Sequence, residues 1–177
     1  MRLFIAIGLP EPVREELWRG AERLQAISVS GRYAARESYH ITLRFLGEQP
    51  ESRLSDLARA MAGCEAAPFS LRLGEFGRFG QRDGDVIWRG IEPSAELECL
   101  HRSLTRQLTA VCFPVEDRPF VPHLTLARRV QLRDGHSLAE LNRDVKRLSF
   151  LVTGITLMRS DLSPSGPKYT PMYERRF

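Results

Sequence analysis

The chain has 177 residues, 42% hydrophobic and 27% charged, ordinary proportions for a globular protein and enough for one compact core. No run of about 18 apolar residues occurs, so no transmembrane span is expected. Three cysteines without a CxxC pair argue against a disulfide framework or a cysteine zinc site and for a reducing compartment. The net charge of +4 rests on 26 basic residues, nearly all arginine. Arginine suits phosphate because its planar fork engages two oxygens, but so small an excess does not by itself establish a nucleic-acid partner.

The opening, Arg2 to Leu9, is apolar on both alternating faces and reads as a strand covered on both sides. A signal peptide fits less well. The apolar part is short, no small-residue cleavage site follows, and Glu11, Arg14, Glu15 and Glu16 come next. Pro12 opens a helix whose Val13, Leu17, Ala21 and Leu24 share a face, ending near Gln25. Residues 39–46 read as a strand, and Leu54, Leu57 and Met61 mark a helix from Glu51 to Met61. Strands over 69–76 and 86–91 flank a turn at Arg82-Asp83-Gly84. A long helix starts near Ser94, with Leu97, Leu100, Leu104, Leu108 and Val111 on one side and Cys99 as apolar filler. A strand covers 123–129, and Ser137 with Glu140 forms a capping box ahead of Leu138, Leu141, Val145 and Leu148. Two last strands, near 149–160 and 168–176, flank the turn Ser163-Pro164-Ser165-Gly166-Pro167. The order is β-α-β-α-β-β-α-β-α-β-β, an α/β protein of two similar lobes whose strand order is not legible.

Four histidines occur, and two of them open the same tetrad: His40-Ile41-Thr42-Leu43 and His123-Leu124-Thr125-Leu126. With seven threonines and 23 leucines in the chain, composition gives such a match a chance on the order of one in several thousand. Residues i and i+2 share a strand face, so His40 goes with Thr42 and His123 with Thr125. If the two strands meet, two imidazoles and two hydroxyls converge. Imidazole titrates near neutrality, so two of them supply an acid and a base together, and hydroxyls hydrogen-bond non-bridging phosphate oxygens. That set suits opening a strained cyclic phosphate without a metal. His101, beside an apolar helical stripe, and His136, in a turn, are given no role.

These residues are similar to the 2H phosphoesterase superfamily, and within it to the bacterial RNA 2′,3′-cyclic phosphodiesterases, also called 2′-5′ RNA ligases. The resemblance runs through Arg2 to Ile7, Arg32-Tyr33, Glu37, Phe45-Leu46-Gly47, Arg118 to Pro122, Leu126-Ala127-Arg128, Arg159-Ser160 and Gly166-Pro167-x-Tyr169. Tyr39 departs from the leucine-like residue usual before the first histidine. The resemblance implies one bilobal domain over 1–177, with pseudo-symmetric, mainly antiparallel lobes flanked by helices and an active site in the groove between them. It implies hydrolysis of terminal 2′,3′-cyclic phosphates to 2′-phosphates and a weak ATP-independent 2′-5′ ligation. His40 is then the proton donor and His123 the acceptor, an order that the residues themselves leave open.

Arg128 matches a family arginine at the phosphate, yet strict alternation puts it opposite His123 unless the strand bulges; Arg44, on the His40 face by the same count, is a rival. Phe45 counts to the core face, and Phe120 stays open. The expected partners are RNA ends or related cyclic nucleotides, with no cofactor, no metal and no membrane, in a cytoplasmic monomer. The alternatives are a 2H enzyme acting on a small cyclic nucleotide metabolite and a non-catalytic module that binds RNA ends.

Overall fold

The structure is a computed structural model that describes residues 1–114, 119–163 and 166–177. Arg118 and the Pro164-Ser165 part of the last turn lie outside the described residues.

In chain order the elements are β1 (Arg2–Ile7), α1 (Glu11–Ala26), β2 (Ser28–Tyr33), β3 (Ile41–Glu48), α2 (Leu54–Ala62), β4 (Phe69–Phe79), β5 (Asp85–Ile91), α3 (Ala95–Ala110), β6 (His123–Leu132), α4 (Leu138–Asn142), β7 (Ser149–Val152), β8 (Gly154–Ser163) and β9 (Gly166–Arg176). They form two sheets, in the orders β3-β1-β8-β9 and β2-β6-β5-β4-β7, and every strand pairing is antiparallel. The two sheets do not correspond to the two halves of the chain. β2, from the first half, joins the second sheet, and β8 and β9 return to complete the first.

The helices cross over in the same way. α1, which follows a strand of the first sheet, lies against β2 and β6 of the second, with α4 beside β4. α2 and α3 pack together and α2 meets β9. Ser94 caps α3 by accepting the Leu97 amide at 3.2 Å. One continuous apolar cluster runs through Leu3, Ile5 and Ile7 of β1, Leu17 and Leu24 of α1, Leu71 and Leu73 of β4, and Leu100 and Leu104 of α3. No described helix is long and apolar enough to cross a membrane.

The expected strands and helices are present, with α2 starting at Leu54 rather than Glu51 and with four further differences. β2 has a single buried residue, Ser28, and pairs with β6 alone, so it carries no alternation that would reveal it. The run 149–160 is two strands, because at Thr153 the chain leaves one sheet for the other. The capping box of Ser137 and Glu140 is present, but α4 stops at Asn142. The Lys146 carbonyl is engaged by Arg89 and the Leu148 carbonyl by the Leu73 amide, which draws the chain into the sheet. Finally, Cys99 is exposed, and the buried cysteine is Cys64.

Candidate active site

Each tetrad sits where a motif strand begins, and β3 and β6, the two motif strands, touch. The His40 side of the first sheet and the His123 side of the second come together here, close enough for the charge of His123 to act on His40, and the space between them is the groove. His40 and Thr42 share the groove face, with Nε2 of the imidazole 3.0 Å from Oγ1 of the threonine. Ile41 and Leu43 are buried on the other side, as are Leu124 and Leu126 in the second motif.

The two rings are held alike. Nδ1 of His40 lies 2.6 Å from the Ser38 carbonyl, and Nδ1 of His123 lies 2.7 Å from the Val121 carbonyl, each two residues upstream. A carbonyl only accepts, so Nδ1 carries the hydrogen in both rings and Nε2 is the nitrogen whose proton comes and goes. Aromatic side chains flank both. His40 has Phe4 at 4.8 Å and the edge of Tyr169 at 5.2 Å between ring centroids. His123 has the edge of Phe79 at 5.0 Å and Trp88 at 6.0 Å. Trp88 takes this place only because β4 opposes it with Gly77, where a Cβ would fall 2.2 Å from the indole.

A bulge follows each motif. In β3, Thr42 opposes Ala6 but Arg44 already opposes Ile5, so Leu43 is an extra residue. In β6, Thr125 opposes Trp88 and Ala127 opposes Ile87, so Leu126 is extra. Each bulge reverses the alternation beyond it. Arg128 is thereby brought to the histidine face, where its charge acts on both His40 and Tyr169.

The bulge in β3 overturns the sequence count for two residues. Arg44 turns away from His40 and donates to Thr105 Oγ1 of α3 at 2.7 Å. Phe45, expected in the core, opposes Phe4 on the groove face and is 62% exposed. Phe45 and Arg128 therefore occupy equivalent places in the two lobes.

The other two histidines stay outside the groove. His101 stacks flat on Phe120 at 3.9 Å, and burial, together with the Arg44 charge, pushes its pKa down to about 4. His136 lies on the surface against Glu140 at 3.0 Å. Tyr39 is absorbed into the core. Sequence reasoning missed the aromatic walls Phe4, Phe79 and Trp88. A glycine inside β4 opposite a tryptophan was the available signal.

The His40 pKa is lowered first by burial; the Ser38 hydrogen bond opposes this, and the charges of His123 and Arg128 add to it. A positive neighbour disfavours imidazolium, so removing one must raise the pKa. Proton NMR is expected to find the His40 ring titrating below 6.5 in the parent and at higher pH in Arg128→Gln. An unmoved titration would mean that Arg128 does not face His40.

Known proteins share this arrangement of strands. The family model described as the 2′-5′ RNA ligase superfamily matches residues 13–164. The chain belongs to that superfamily. Members named RNA 2′,3′-cyclic phosphodiesterase include one from Methanothermobacter thermautotrophicus, 32% identical over 97% of this chain and 96% of its own. Another, from Geobacillus stearothermophilus, is 33% identical over 94% of this chain, which spans only 54% of that relative's length. Among solved structures, E. coli LigT complexed with 3′-AMP superposes with a TM-score of 0.80 at 27% identity, covering 99% of this chain and 97% of that one. The bilobal two-histidine phosphoesterase fold expected from the tetrads is thus the fold of the superfamily.

Proposed function

We propose that the protein is an RNA 2′,3′-cyclic phosphodiesterase, built as a single bilobal domain over residues 1–177, in which His123 is the base and His40 the acid. His123 Nε2 takes a proton from water as the oxygen attacks phosphorus. The bond from phosphorus to O3′ breaks, and His40 Nε2 delivers its proton to O3′. The products are a 2′-phosphate and a 3′-hydroxyl, and proton exchange with solvent resets the two rings. Thr42, Thr125 and Arg128 hold the non-bridging oxygens, where charge builds up. A 5′-hydroxyl in place of water gives a 2′,5′-phosphodiester without ATP, the weak ligation.

The observation that carries this reading is the matched pair of imidazoles, each with Nδ1 committed to a main-chain carbonyl two residues upstream, which makes Nε2 the nitrogen that exchanges a proton. The names of the relatives and the 3′-AMP complex of LigT support it. We place the enzyme in the cytoplasm as a monomer; its three free cysteines fit a reducing compartment.

Purified protein in excess EDTA, given a short RNA ending in a 2′,3′-cyclic phosphate, tests the reaction. Clean formation of the 2′-phosphate, assigned against 2′- and 3′-phosphate standards, is the expected result. Tight binding without turnover would instead mark a module that holds RNA ends. Neither binding nor turnover would point to a small cyclic metabolite. Thr42→Val and Thr125→Val are each expected to lower kcat by roughly tenfold to a thousandfold, as loss of a transition-state donor does. Unchanged kcat in both would remove the hydroxyls from the mechanism.

A further inference from the structure

Arg32 of β2 stands directly opposite Arg128 across the β2–β6 ladder, so both side chains emerge on the groove face. Residues opposite one another on neighbouring strands have Cα atoms about 5 Å apart, and like charges so placed repel. Nearby arginines are matched with acids: Arg36 lies 2.7 Å from Glu15 and also engages Glu11, and Arg129 lies 3.4 Å from Asp83. Among the described residues Arg32 and Arg128 have no carboxylate within 4 Å. Arg2 of β1, from the other lobe, is exposed on the same groove, and its charge reaches Tyr169 as that of Arg128 does. Glu48, opposite Arg2, is turned to the Met1 amino group at 3.3 Å. Two guanidinium groups side by side, with a third across the groove and no acid between them among the described residues, suit more negative charge than one cyclic phosphate brings.

We infer that Arg32, with Arg2 and the far side of Arg128, forms a second anion subsite at the groove mouth, which takes the phosphodiester 5′ to the terminal nucleotide. The inference rests on the proposed phosphodiesterase reading and narrows its substrate to an oligonucleotide. The cyclic phosphate is held between the histidines, and the next phosphate along the strand is held between lobes. Arg32 acts on binding and not on the chemical step.

The test compares kcat/KM for three substrates: a nucleoside 2′,3′-cyclic phosphate, a dinucleotide with the same cyclic end, and the cyclic nucleoside carrying a 5′-diphosphate. The parent is expected to prefer the dinucleotide over the mononucleoside by about tenfold or more, the usual size of a charge-assisted phosphate contact. In Arg32→Gln that ratio falls about tenfold, mainly through KM, and the salt dependence of dinucleotide binding loses about 0.7 in slope. Arg59→Gln, which removes an exposed charge on α2 paired with Asp56, keeps the parental ratio. With no RNA present, the thermal midpoint of Arg32→Gln is at or above that of the parent, because a like-charge pair has been relieved.

An equal ratio in Arg32→Gln and the parent overturns the subsite while leaving the phosphodiesterase standing. A preference for the 5′-diphosphate substrate over the dinucleotide, lost in Arg32→Gln, overturns it in favour of a small-molecule substrate. No turnover of any of the three by the parent overturns both readings.

Discussion

Replacing His40 or His123 with alanine is expected to cut turnover of a cyclic-phosphate RNA by about 10²–10⁴ each, the usual contribution of a general acid or base. The two losses are not additive. Once one proton cannot be moved, the other group has little left to assist, so the double variant falls little below the weaker single one. Neither ring is a member of the main apolar cluster, and both variants are expected to melt as cooperatively as the parent. His101→Ala is the informative control. It deletes a ring stacked on Phe120, one residue before the Val121 carbonyl that orients His123, and so disturbs packing more than chemistry. Turnover within about tenfold of the parent is the expected outcome for it. Equal losses in His101→Ala and His123→Ala would sink the assignment of the site.

The largest expected effect on stability comes from Arg89→Ala. Arg89 of β5 is only 1% exposed. It donates to the Gly74 and Lys146 carbonyls and lies over the Phe76 ring at 4.7 Å. Burial lowers its pKa to about 10, which leaves it charged at neutral pH. Carbonyl dipoles and a ring face do here what a carboxylate does elsewhere. Truncation orphans two carbonyls at about 1–3 kcal/mol each and opens a cavity, so a loss of about 3 kcal/mol or more is expected. That is a large part of the 5–15 kcal/mol typical of a domain. Urea unfolding reads it as a lower midpoint with an unchanged slope. Turnover per folded molecule persists, because Arg89 projects from the face of β5 opposite to Trp88. A midpoint equal to that of the parent would mean that desolvating the guanidinium cancels what its hydrogen bonds contribute.

How far the site was legible follows from where strand periodicity holds. Up to the motif threonines the alternation is regular, and His40, Thr42, His123 and Thr125 are placed by counting alone. Leu43 and Leu126 then add one residue each to their strands, and the parity of Arg44-Phe45 and of Ala127-Arg128 reverses before a second irregularity further along each strand shifts it again. Nothing in the letters Leu43-Arg44-Phe45 announces this, because a buried leucine suits a bulge and a regular strand equally well. Only the resemblance, which tied Arg128 to the phosphate, ran against the count, and there the bulge resolves the conflict. Strand order was hidden for another reason. Apolar periodicity says that β1 is buried on both faces, but its neighbours are chosen by contacts with β3 and β8 far along the chain, and no local pattern encodes those.

The placement of β1 inside its sheet bears on how the protein can be made. Its partner on one side, β3, begins at Ile41, but β8 begins only at Gly154. During synthesis β1 therefore leaves the ribosome long before β8 and waits with one edge unpaired until that strand has followed. Such long-range pairing makes folding slow, since loop closure costs entropy before the contacts form. Tyr169, on β9, reaches His40 only after that closure. The wall that Tyr169 gives His40 is therefore completed late, when the β8–β9 hairpin docks on β1.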